Sequence, residues 1–193
     1  MCEINNIYQS ELKYLENAIK KSTNSYHTFT LSSLNGKYPE SRTVVLRGVS
    51  FDPLKIYFNT DYRSPKIQQL RNNNHCSALF YDKSRKVQLR FKCQALLHYQ
   101  NNIAKGIWDS TALQSKKCYM GPHPPSKPLD EWHPNIPLEY TKTDPDEEHS
   151  KEGYINFIHV ELEIMQADLL QLHHDGHKRF KVTNKNKLFF VSP

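Results

Sequence analysis

The feature that most narrows the fold is a run of strict alternation at 86–96. Val87, Leu89, Phe91, Cys93 and Ala95 fall on one face, and Gln88, Arg90, Lys92 and Gln94 fall on the other. A period of two sustained over this length cannot sit on a helix, so it predicts an antiparallel strand with one face buried and one face wet. The pattern recurs at 154–164, where Ile158, Val160, Leu162 and Ile164 oppose His159, Glu161 and Glu163. Shorter strand-forming stretches lie at 26–31, 41–47, 54–59, 76–81, 167–172, 179–183 and 188–191, with a hairpin signal at Asn35-Gly36 and a turn at Asp52-Pro53. Helical spacing is confined to three places: 8–22 (Tyr8, Leu12, Leu15, Ile19), a short helix opened by Ser64-Pro65, and 101–119. Ser is favoured as an N-cap and Pro at the first helical position. Many short strands with few helices predict a mainly β chain, a small antiparallel barrel with peripheral helices.

A length of 193 residues fits one domain, spanning 1–193. Residues 121–149 hold seven of the eleven prolines and read as a long loop, a feature that is usually functional or flexible. The formal charge is +6, but the cations occur as isolated pairs such as Lys20-Lys21 and Lys116-Lys117, with acids gathered at Asp144, Asp146, Glu147, Glu148 and Glu152. A basic chain without a basic track suits small anions rather than nucleic acid. No apolar run approaches the roughly 20 residues of a membrane span, and Met1–Ser10 lacks the basic-then-apolar order of a secretory signal. Cys2, Cys76, Cys93 and Cys118 form no C-x-x-C pair, which points to reduced thiols in the cytoplasm.

Chemistry concentrates at 59–66, Asn59-Thr60-Asp61-Tyr62-Arg63-Ser64-Pro65-Lys66, where a strand ends and a helix begins. Helix N-termini offer unpaired N–H groups and partial positive charge to phosphate. Arg63 and Lys66 would add full charges and Ser64 a hydroxyl; the alternative is a solvated turn in which Ser64 only caps. Arg42 and Arg47 bracket a Val-rich strand and could reach the same anion, or be ordinary surface charge. Gln88 sits on the polar face of its strand and must find partners, in a neighbouring strand or in a heteroaromatic ring. His173-His174-x-x-His177 resembles a metal cluster only superficially, since adjacent strand residues point to opposite faces; no metal is expected. Trp108 at helical spacing and Cys93 on an apolar face read as core.

Taken together, Arg42-Thr43-Val44-Val45-Leu46-Arg47, Phe58-Asn59-Thr60, Arg63-Ser64-Pro65-Lys66 and Val87-Gln88-Leu89-Arg90 resemble the pyridoxamine 5′-phosphate oxidase-like family, in order and in spacing. The likeness covers about 25–100 closely and 154–193 more loosely. It implies a split antiparallel β-barrel that binds FMN in two clefts at a homodimer interface. By that resemblance Arg42 and Lys66 bind the FMN phosphate with Ser64 and Arg63, Thr60 and Asn59 lie at the phosphate or ribityl end, and Thr43, Val44, Val45 and Arg47 run beside the ring. Gln88 meets the ring's polar edge, and Arg179 approaches from the partner's side.

The substrate half of the family pattern departs. A strand-end Lys is here Arg47, and the substrate-holding Arg-x-His is Asp175-Gly176-His177, which leaves His177 as the one candidate substrate contact. The helix that carries further phosphate ligands reads Trp108-Asp109-Ser110-Thr111, and the aromatic over the flavin is Leu169. An acid in a phosphate pocket repels by a kcal/mol or more, on the order of the Coulomb term at close range. The expectation is therefore a flavoprotein using hydride transfer on an unidentified small molecule. Its alternatives are a flavin binder without turnover, or a haem-binding relative with His173, His174 or His177 as an axial ligand.

Overall fold

A computed structural model describes residues 3–183, 185 and 187–193. In chain order the elements are α1 (Glu3–Lys20), β1 (Thr28–Asn35), β2 (Tyr38–Val45), β3 (Gly48–Phe51), β4 (Leu54–Asp61), α2 (Pro65–Asn72), β5 (His75–Asp82), β6 (Val87–His98) and α3 (Asn102–Ser110). There follow α4 (Leu113–Lys116), α5 (Glu147–Ser150), β7 (Phe157–Gln171), β8 (Lys178–Thr183) and β9 (Leu188–Phe190), with single 3-10 turns between. The strands form one sheet in the order β2-β1-β5-β6-β7-β4-β3, with β8 added on β7 and β9 on β8. The order does not return on itself, so the sheet is open. The backbone divides into two compact units: the chain up to Phe58 with Gln69–Leu96 and Glu161–Pro193, and Asn59–Gln68 with Leu97–Val160.

In the first unit the alternation of β6 is realised residue by residue: Val87, Leu89, Phe91, Cys93 and Ala95 are buried, and Arg90, Lys92 and Gln94 are exposed. β5 pairs with it antiparallel, bringing Cys76 opposite Cys93 and Tyr81 opposite Gln88. β1 and β2 make the hairpin, with Asn35 opposite Tyr38; Gly36 takes φ +59 at the first loop position, a conformation that glycine adopts without steric cost. The core under the sheet is aromatic. Phe80 contacts Tyr26, Phe29 and Phe91 at ring-centroid distances of 5.4, 4.9 and 5.9 Å. Each such ring, fully buried, stabilises by about 1.5–3 kcal/mol. α1 lays Ile4, Tyr8, Leu12, Leu15 and Ala18 on the core, and Ala18 takes the place expected for the half-buried Ile19. Glu11 shares that buried face, where its carboxylate accepts from Tyr26 Oη at 2.8 Å and from Arg85 Nη1 at 2.7 Å.

The second unit has its own core, in which Ala104, Trp108 and Phe157 pack with Tyr119 and Tyr154. The helix expected at 101–119 breaks after Ser110. The Ser110 and Thr111 hydroxyls both donate to the Ile107 carbonyl, at 3.0 and 2.7 Å, so side chains take an acceptor the helix would have used. The 121–149 segment is clasped by Asn135. Its side chain accepts from His123 N at 3.0 Å and donates to His123 O at 2.9 Å, and the segment includes a 3-10 turn at Leu138–Tyr140.

Two further differences concern strands. β3 was not expected, and the stretches expected at 154–164 and 167–172 are one strand, β7, preceded by a 3-10 turn over Lys151–Asn156. Pairing of Gln166 with Thr183 and Ala167 with Val182 in β8 carries the ladder through the junction. Cys76, Cys93 and Cys118 are free thiols; Cys2 lies outside the described residues. No described helix is long and apolar enough to cross a membrane.

Candidate functional site

The 59–66 turn lies wholly within the second unit. β4 ends at Asp61, whose carboxylate receives Arg63 N at 2.8 Å, Arg63 Nε at 3.0 Å and Arg63 Nη2 at 2.7 Å. Arg63 Nη2 also donates to the Gly121 carbonyl at 2.9 Å, tying the head of the Pro-rich segment to the turn. Ser64 is buried at the N-cap position of α2, its carbonyl accepting from Ile67 N at 2.9 Å. Lys66 Nζ donates to Thr60 Oγ1 at 3.0 Å, so the ammonium and the hydroxyl stand together over the start of the helix. Asn59 faces away into a polar pair, its Oδ1 2.7 Å from Nδ1 of the buried His159.

In the first unit, Arg42 leans on two neutral acceptors. Nη1 donates to Ser33 Oγ at 2.5 Å and Nη2 to Gln69 Oε1 at 3.0 Å, and Nη2 also donates to the Glu40 carboxylate at 3.3 Å. Burial pulls the Arg42 guanidinium below its ordinary range, partly offset by Glu40. Thr43 is exposed, Val44 buried and Val45 half-buried on β2, which stands at one end of the strand order; Arg47 is exposed just beyond it. An end strand keeps one row of backbone N–H and C=O groups for a ligand. Gln88 is half-buried on β6. Arg179 forks onto Asp168 at 3.0 and 2.9 Å, and Arg90 donates to the same carboxylate at 2.8 Å. Burial works against the Asp168 charge, yet the Arg179 and Arg90 contacts hold its carboxyl below the usual range. His177 is exposed in the β7–β8 turn, its Nδ1 accepting from His173 N at 3.2 Å, and Leu169 is fully buried opposite Phe180.

The structure thus joins Thr60 to Lys66 and orders Arg63 beside them. The sequence reading missed the residues that hold the cations: Asp61, Ser33, Gln69 and Asp168. Only Asp61 carries a local signal, an Asx-type turn two residues before Arg63. The chemistry available is anion binding, from an ammonium, a hydroxyl and helix N–H groups converging at one turn.

Comparison with known proteins gives this donor set a context. Residues 9–99 match the family model described as pyridoxamine 5′-phosphate oxidase, FMN-binding domain. That stretch, just under half of the chain, is similar to the FMN-binding domain of the pyridoxamine 5′-phosphate oxidase-like family. Among curated proteins, the chain is similar to a pyridoxine/pyridoxamine 5′-phosphate oxidase of Prochlorococcus marinus, at 35% identity over 79 residues. It is 30% identical over 112 residues to pyridoxine/pyridoxamine 5′-phosphate oxidase 2 of Arabidopsis thaliana. These matches take in 40% and 54% of this chain and 35% and 56% of those relatives, so the chain spans about a third to a half of their length. A pyridoxamine 5′-phosphate oxidase-related, FMN-binding protein of Nostoc punctiforme superposes with a TM-score of 0.76 at 19% identity, over 96% of this chain and 97% of that one. PhzG of Burkholderia lata, solved with tetrahydrophenazine-1-carboxylic acid, gives 0.67 at 13% identity over 99% and 93%. At these identities the likeness establishes the fold: a mainly antiparallel, open split barrel with peripheral helices.

Proposed function

We propose that this chain is a member of that family, an FMN-dependent oxidoreductase acting on a small molecule, and that the 59–66 turn anchors the cofactor's phosphate. The observation that carries the reading is the turn itself, inside the matched stretch, with Lys66 Nζ on Thr60 Oγ1 and Ser64 capping α2. A phosphate there would accept from the Lys66 ammonium, the Ser64 hydroxyl and the first N–H groups of α2, with Arg63 held in place by Asp61. The family resemblance assigns Arg42, Thr43, Val44, Val45, Arg47, Asn59, Gln88 and Arg179 to the same cofactor, and His177 to substrate. Bound FMN supplies hydride transfer, and the protein supplies orientation and electrostatics. The same reading makes the protein a cytoplasmic homodimer, one domain over 1–193, with FMN at the subunit interface.

The test is a titration of apoprotein with FMN and with riboflavin, followed by quenching of flavin fluorescence. FMN should bind at least about tenfold tighter, the worth of one charged hydrogen bond. Equal affinities would remove the phosphate anchor. The absorption spectrum of the purified protein separates flavin from haem. Reduction by a donor followed by repeated reoxidation separates an enzyme from a carrier.

A further inference from the structure

The second unit contains a cavity of about 440 Å³ that shares no residue with the 59–66 turn. Its walls come from α3, α4, α5 and the 3-10 turn after α5, including Lys105, Trp108, Asp109, Lys116, Glu147 and Tyr154. The informative residue is Lys116. It is 7% exposed, a burial that lysine almost never reaches unless paired. Among the described residues its ammonium meets neither a carboxylate nor a carbonyl; its one contact is the Trp108 ring, with Nζ 5.4 Å from the centroid. The neighbouring cations are already matched: Lys105 pairs with Asp109 at 2.6 Å to Oδ2, and Lys151 with Glu148 at 2.5 Å. Glu147 is exposed at the start of α5, so its charge is solvated.

The Lys116 stem is covered while its ammonium keeps contact with the cavity, where the indole face gives it a cation–π contact. An anion in the cavity would give that ammonium the charged partner it lacks. The volume falls in the range of small-molecule sites, and Trp108 and Tyr154 give it aromatic walls. We propose that this cavity binds a small organic acid, its carboxylate on Lys116 Nζ and its apolar body against Trp108 and Tyr154.

The chain has two tryptophans, and Trp132 is exposed, so Trp132→Phe leaves Trp108 as the sole indole reporter. In that background the probes are benzoate and its neutral isostere, benzyl alcohol. Benzoate should change Trp108 emission saturably and bind at least about tenfold tighter than benzyl alcohol. Lys116→Met should abolish that preference, and Lys116→Arg should retain it. No saturable change with benzoate, or equal binding of the two probes, overturns the proposal on the parent protein alone, whether or not the Met variant folds. A preference that survives in a folded Lys116→Met protein overturns it as well.

Discussion

Arg85 is the sharpest test of how the first unit is held together. Its Nε donates to Asp82 Oδ2 at 2.7 Å, its Nη1 donates to Glu11 Oε1 at 2.7 Å, and its guanidinium carbon lies 3.7 Å from the Tyr14 ring centroid. Both carboxylates are nearly inaccessible, Glu11 at 2% and Asp82 at 6%. The network clamps α1 to the β5–β6 turn, because Glu11 also receives the Tyr26 hydroxyl. Arg85→Met keeps the aliphatic stem and removes the charge. Asp82 would retain Ser84 Oγ and two backbone N–H donors, so Glu11 bears the larger loss. Removing one partner of a buried ion pair costs about 3–5 kcal/mol, and the cation–π contact adds about 0.5–1. One guanidinium nitrogen, Nη2, is buried without a hydrogen bond, which places the expectation toward the lower figure. Urea unfolding followed by circular dichroism should show that loss, and Tm should fall by roughly 6–20 °C for a chain of this size. Adding Glu11→Gln should recover at least half of it, since a neutral amide needs no cation and still accepts from Tyr26. A single variant within about 1 kcal/mol of the parent, or a double variant no better than the single, refutes the reasoning.

The remaining expectations concern pH, cofactor and substrate. Hydrogen bonds from Ser84 and Arg85 overcome burial and lower the Asp82 carboxyl to about 2 from 3.8. A carboxyl depressed on folding contributes stability above its unfolded pKa and loses it as pH falls through the folded value. About 2 kcal/mol should therefore vanish between about pH 5 and pH 2, and Asp82→Asn should flatten that slope in urea titrations. Lys66→Ala and Arg42→Ala should each weaken FMN by about ten- to a hundredfold, read by equilibrium titration. Arg63→Ala should weaken it less than Lys66→Ala, because the Arg63 guanidinium is engaged by Asp61 and Gly121; a reversed order would make Arg63 the principal phosphate ligand. The FMN-loaded protein should release little hydrogen peroxide from pyridoxamine or pyridoxine phosphate if, as the family resemblance implies, Asp175 replaces a substrate-holding cation and Trp108–Thr111, which carries no Arg, replaces a phosphate-binding helix. Turnover at micromolar KM would withdraw the assignments beyond residue 100.

What could be read from the sequence was what is decided locally. The alternation of β6 survives because a one-residue slip would turn Val87, Leu89 and Phe91 to water, so pattern and register enforce each other. The cap at Ser64 and the glycine at Gly36 are equally local. The end of α3 was not legible, because it depends on two hydroxyls competing for the Ile107 carbonyl, and Ser and Thr are also tolerated inside helices. The continuity of β7 depends on β8, eleven residues further along the chain at Asp168 and Arg179.

The same division governs the site. Motif spacing nominated the cations, but whether a cation is committed elsewhere depends on partners brought in by pairing. Arg63 and Arg179 each fork onto a carboxylate with little exposure, Asp61 and Asp168 respectively. Those charges are largely neutralised before any ligand arrives. Arg42 instead rests on a hydroxyl and an amide oxygen, and its one carboxylate partner, Glu40 at 3.3 Å, is half-exposed and so a weaker hold. Replacing two neutral hydrogen bonds with charged ones to a phosphate is a net gain, whereas stripping a guanidinium from a buried carboxylate is a loss. Under the proposed function, a phosphate-binding role suits Arg42 and Lys66 and an ordering role suits Arg63 and Arg179. That ranking came from Ser33, Gln69, Asp61 and Asp168, to none of which the motifs had given a role.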